Sequence, residues 1–145
     1  MDTATEVRIA YFEALKNLEY KGISIPVFDE QVDDKDLIAT VDNAEVYILM
    51  QSQQTIDNAV QTICDYRLIS DMTIKVVTKF IGVGDKSMCE NIGFLVNNLI
   101  KGKKTDSKLE GIDSIRLDVS RSMFERSNSH TAFSKIFIYR NYINK

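Results

Sequence analysis

DMTIKVVTKF (71–80), IGVGDK (81–86) and SMCENIGFLVNNLIKG (87–102) follow one another without a break. In the first block Met72, Ile74, Val76, Thr78 and Phe80 alternate with Thr73, Lys75 and Lys79. That period of two puts the apolar set on one side of an antiparallel strand and leaves the other side wet. The second block is a short glycine turn. The third opens on Ser87-Met88-Cys89-Glu90, a capping-box pattern with Asp85 as a competing N-cap. Met88, Ile92, Leu95, Val96 and Leu99 then recur at helical spacing, and Gly102 can end the helix. A strand, a turn and a capped amphipathic helix make an α+β unit.

A glycine loop between strand and helix, ending in Lys86-Ser87, invites a phosphate-binding reading. A P-loop needs G-x-x-x-x-G-K-[ST], because successive backbone N–H groups wrap the phosphates while the lysine reaches them. Here Asp85 intervenes between Gly84 and Lys86, and the residue five before Gly84 is Lys79. An aspartate beside the phosphate repels it. The strand is also amphipathic, whereas a P-loop strand is buried on both faces. The unit is read as architectural.

Outward from it, Thr3-Ala4-Thr5-Glu6 fits a capping box, and Val7, Tyr11, Ala14, Leu15 and Leu18 share one helical face. A helix is expected over about residues 4–20, closed by Gly22. Ile23 to Phe28 contains Pro26 and reads as an edge strand or an extended crossing. EVYILMQS (45–52) is apolar on both faces and reads as a central strand. Residues 53–65 fit a strand, a short helix or a loop. Extended structure resumes over 66–80. Ile115, Leu117 and Val119 alternate with Arg116, Asp118 and Ser120, which places a strand over about 112–121. ERSNSHT (125–131) reads as loop, and Ala132–Tyr142 as a last strand with Phe133, Phe137 and Tyr139 on one side. The expected fold is α+β, with two helices packed on one face of a mainly antiparallel sheet, in the order α-β-β-β-α-β-β. One domain over 1–145 is expected, with extended loops near 29–43 and 121–131. One proline and six glycines leave Asn, Asp and Ser to make most turns.

The 145 residues suffice to bury a core without staples. A net charge of -3 argues against a free-standing nucleic-acid binder, which shows a basic face. Cys64 and Cys89 are too few for a disulfide framework and read as reduced, packed thiols. The N-terminus lacks the basic start and apolar core of a signal peptide, and no apolar run approaches a membrane span. A cytosol-like compartment is expected.

Asp29, Glu30, Asp33, Asp34 and Asp36 lack the alternate spacing and central glycine of a calcium loop, so they read as a solvated acidic segment. His130 is the single histidine and reads as a surface loop residue rather than the base of a Cys–His pair. Arg116, Arg121 and Arg126, with Lys103, Lys104 and Lys108 upstream, form a modest basic edge. A solvated or intersubunit charge face is favoured over DNA contact there. The aromatics Phe133, Phe137 and Tyr139 suit core and sheet positions better than a base-stacking platform. Neither an acid–base pair nor a triad nor a metal cluster emerges, so an enzyme is not expected. The reading includes no cofactor and no metal.

The order of elements carries a resemblance. A first helix (TEVRIAYFEALKNL) leads to a Pro-containing extended piece (ISIPVFDEQV), a strand (AEVYILMQS), a long strand (MTIKVVTKF), a Gly/Asp turn and a second helix (SMCENIGFLVNNLIKG). This resembles the tail-completion, or tail-terminator, proteins of tailed bacteriophages over about residues 5–142. Ile25-Pro26-Val27-Phe28-Asp29 matches the start of that pattern. The family's long-strand aromatic is here only Phe80, and the tail after Arg121 is longer.

The resemblance implies a virion structural protein of the head–tail joining region. It implies a homo-oligomeric ring, usually a hexamer, assembled in the host cytoplasm. Such a ring terminates or connects the tail tube, contacts other virion proteins of the tube, neck or portal, and lets DNA pass through its lumen without a membrane partner. Asp29, Glu30, Asp33, Asp34 and Asp36 are expected to face Lys103, Lys104, Lys108, Arg116, Arg121 and Arg126 of a neighbouring subunit. The alternative is a small adaptor that holds a peptide or protein partner on a sheet edge.

Overall fold

The computed structural model describes residues 3–57, 68–101, 112 and 114–143. Helix α1 spans Thr3–Leu15, and a short hairpin follows, β1 (Glu19–Tyr20) and β2 (Ile23–Ser24). Strand β3 is Val27–Asp29, a 3-10 turn covers Lys35–Leu37, and β4 is Ala39–Val41. Two long strands come next, β5 (Ala44–Asp57) and β6 (Leu68–Ile81). Helix α2 covers Ser87–Lys101, and a long hairpin, β7 (Ser114–Arg126) and β8 (His130–Ile143), closes the described chain. The main sheet has six strands in the order β3-β5-β6-β8-β7, with β4 also paired to β5. Every pairing in it is antiparallel except β3 with β5. This is the expected α+β arrangement, with two helices beside a mainly antiparallel sheet.

Both helices lie on the same side of the sheet. Met72, Ile74, Val76 and Thr78 of β6 are fully buried there, as their alternation requires. Across the ladder they meet Val46, Ile48 and Met50 of β5 and Phe133, Phe137 and Tyr139 of β8. Val7, Tyr11 and Leu15 of α1 and Met88, Cys89, Ile92, Val96 and Ile100 of α2 complete the core. Helix α2 comes close to β8 at Gly93, where an added Cβ would lie 3.1 Å from Lys135 Cγ and 3.2 Å from Phe137 Cζ. Its buried stripe is rotated slightly from expectation, because Ile100 is buried and Leu99 is partly exposed.

Four boundaries differ from the sequence reading, each for a local reason. Helix α1 stops at Leu15, not near residue 20. Leu18 is buried, which continued the helical stripe in the sequence, but its C=O accepts from Ile25 N–H in a hairpin. Gly22 belongs to that hairpin's turn. Lys21 and Gly22 have φ of 52° and 77° between the paired Tyr20 and Ile23, the left-handed pair a type I′ turn demands. Residues 29–43, expected as one extended loop, contain the 3-10 turn and β4. Asp42-Asn43, at φ 48° and 67°, make a second turn of the same kind into β5.

Residues 121–131, also expected as loop, are instead mostly strand. Strand β7 runs on to Arg126 and β8 begins at His130, so only Ser127–Ser129 turn. Phe124 packs on Phe133 with ring centroids 5.3 Å apart, a cross-strand aromatic pair that stabilises the tip. Residues 118–126 are exposed on both faces, so no apolar alternation betrays the strand. Of the ambiguous stretch 53–65, Gln53–Asp57 extend β5, and the rest lies outside the described residues.

Candidate interaction surfaces

The turn that suggested a phosphate site is closed by its own aspartate. Asp85 Oδ1 accepts from the Ser87 backbone N–H at 2.6 Å, and that bond holds the Asp85 carboxyl below the usual carboxylate range. The place an anion would take at the helix end is therefore filled from within. Asp85, not Ser87, wins the competition for the N-cap. Glu90, the other half of the expected capping box, turns away. It accepts from Ser122 Oγ at 2.7 Å and from Lys135 Nζ at 2.9 Å. Those two bonds hold its pKa down. Gly84 is required here because a Cβ would lie 2.2 Å from the ring of Phe80.

The acidic group sits at the β3 edge of the sheet. Asp29 pairs with Arg8 of α1, whose guanidinium also donates to the carbonyls of Met50 at 2.8 Å and Gln51 at 3.1 Å. Glu30 lies 3.7 Å from the same guanidinium. Asp34 Oδ1 accepts from Asp36 N–H and starts the 3-10 turn. Asp33 and Asp36 stand exposed. The cluster is thus partly structural, a role the sequence reading missed because Arg8 is 21 residues away from Asp29.

The basic group lies on β7, at the opposite edge. A bulge between Leu117 and Val119 shifts the alternation, so Arg116 and Arg121 share the helix-free face although they lie an odd five positions apart. Arg116 donates to Asp118 at 2.9 Å. It sits directly across from Arg140, which holds Asp71 through two bonds of 3.0 and 3.2 Å. Arg121 and Arg126 are exposed. Lys103, Lys104 and Lys108 lie outside the described residues, so the expected basic set is seen only in its arginines. With β3 and β7 at the ends of the order β3-β5-β6-β8-β7, four strand spacings separate the two groups, about 20 Å.

The helix-free face carries a second feature. Phe28, Leu49, Val77 and Ile136 are nearly buried there, and the more exposed Val119 and Met123 extend the apolar patch to β7. At the hairpin end a groove of about 280 Å³ runs between the start of α2 and β7. Cys89, Glu90, Ser122, Phe124 and Phe133 line it. Cys89 is buried as expected, and desolvation pushes its thiol up to about 11, away from nucleophilic use at neutral pH. Cys64 lies outside the described residues. His130 is half-buried at the start of β8, its Nδ1 2.8 Å from Ser129 Oγ. Phe137 and Tyr139 are core residues, stacked 5.8 Å apart. Among the described residues no three His, Cys, Asp or Glu side chains converge where a cation could sit. Among them, too, no helix is long and apolar enough to cross a membrane.

No family model and no curated protein matches this chain.

Proposed function

We propose that the chain is a structural subunit of the head–tail joining region of a tailed bacteriophage. It assembles into a ring that terminates or connects the tail tube and lets DNA pass. The virion assignment rests on the order of elements, from the first helix through the Pro26 crossing and the long strand to the capped second helix. The observation that carries the ring is the placement of charge. Acidic side chains stand at one edge of the sheet and arginines at the other. Head-to-tail contacts join opposite patches of identical subunits and close into a ring when the rotation fits. A net charge of -3 keeps such a ring from gripping DNA in transit.

Asp33 and Asp36 are exposed and test the contact without disturbing the Arg8 clamp or the Asp34 cap. The doubly substituted Asp33→Lys, Asp36→Lys chain should fold normally and lose ring assembly in mass photometry. Undiminished rings would remove the acidic edge from the contact. A second reading, an adaptor holding a peptide on a sheet edge, draws on the exposed β7. It predicts a monomer that captures an extended partner from lysate of cells free of phage.

A further inference from the structure

Strand β7 is the outer strand of the sheet, and among the described residues nothing pairs with its outer edge. The bulge at Leu117/Val119 breaks the first half of that edge, a common protection against unwanted pairing. The second half, Val119 to Arg126, is regular, free of proline and exposed on both faces. Its hydrogen-bonding direction is fixed by two bonds at the tip. Ser127 N–H donates to His130 C=O at 2.9 Å, and Gly82 N–H donates to Ser129 C=O at 2.9 Å. Even-numbered residues of β8 thus face β7, and their partners Arg121, Met123 and Glu125 face back. Ser120, Ser122, Phe124 and Arg126 are left with N–H and C=O groups pointing outward.

We propose that this edge is closed by the same edge of a second copy of this chain, antiparallel about a two-fold axis at Met123. Outward-facing residues must pair with outward-facing ones, which restricts the possible registers. An axis at Arg121 sets two arginines face to face. An axis at Ser122 opposes Val119 to Glu125, and one at Phe124 opposes Met123 to Glu125. The axis at Met123 alone brings Arg121 of each copy opposite Glu125 of the other, and it does so twice. Both are positions without ladder hydrogen bonds, where facing side chains come closest. On the helix side Phe124 of one copy falls opposite Ser122 of the other. There the groove beside Glu90, Cys89 and Phe133 can receive its ring.

The pairing does not depend on the virion reading. If that reading holds, the dimer and the ring compete for β7, and the dimer is the form that precedes assembly.

Analytical ultracentrifugation over a concentration series tests the contact. The wild-type chain should show a monomer–dimer step. Arg121→Glu and Glu125→Arg each set like charges together at two places, and each should weaken dimerisation about tenfold or more. An equimolar mixture of the two single variants should recover a heterodimer, and the double variant should recover a homodimer. These exposed side chains make no core contact, so loss of folding does not confuse the result. A wild-type chain that stays monomeric overturns the proposal, with or without a captured peptide. So does an oligomer indifferent to both substitutions and to their mixing.

Discussion

Asn141 is fully buried on β8, and each of its polar atoms is used. Its Oδ1 accepts from the Tyr11 hydroxyl of α1, and its Nδ2 donates to Ser70 C=O at 2.8 Å and Tyr139 C=O at 3.3 Å. It ties the first helix to the two central strands. Asn141→Ala should cost about 1–3 kcal/mol in urea unfolding, because it strands the buried Tyr11 hydroxyl. Groups that burial makes reluctant to ionise set the alkaline limit. Desolvation raises Tyr11 and Tyr139 above 10.0 and Cys89 from 9.0 to about 11. Well below pH 9 these groups are protonated whether the chain is folded or not. Above it the unfolded chain ionises first, so stability should fall as pH climbs from about 9, through the Cys89 window to about 11 and on with the tyrosines. Melting temperature measured against pH checks this, and a flat profile to pH 11 would contradict the burial of these groups. Glu90 works in the opposite sense. Its depressed pKa adds stability above its unfolded value, which is lost as pH falls through the folded one.

At the scale of elements, the seat of α2 depends on a backbone approach. Gly84→Ala drives a Cβ into the Phe80 ring and should cost about 1–3 kcal/mol, read in the same unfolding assay. Gly22→Ala meets no neighbour but strains φ at 77°, and should cost about 1 kcal/mol. Elements with one buried and one wet side are legible in the sequence. The alternation of Met72 to Thr78 and the apolar spacing of Met88 to Val96 named their buried faces, apart from the slight rotation of α2. Elements without that contrast were not. Residues 118–126 have solvent on both sides, so β7 looked like loop beyond Arg121. Leu18 mimicked a further helical turn because a buried hairpin residue lies at a helical interval. The competition between Asp85 and Ser87 for the N-cap was visible in the sequence, but Glu90's distant partners Ser122 and Lys135, which decide it, were not.

For the whole molecule, sequence supplied the charged residues but not their geometry. The acidic and basic groups were legible as runs, whereas their places at opposite sheet edges depend on strand order. Arg8 bound to Asp29 depends on where α1 lands. The hairpin edge at Val119–Arg126 adds a contact surface that the sequence hid, for the same reason it hid the strand. Electron microscopy combined with native mass spectrometry, on the purified chain alone and mixed with phage tail tubes, tests the head-to-tail ring. Closed rings with a central opening, seated on tube ends, are expected. A chain that stays below ring mass in every mixture and leaves the tube ends bare would contradict it.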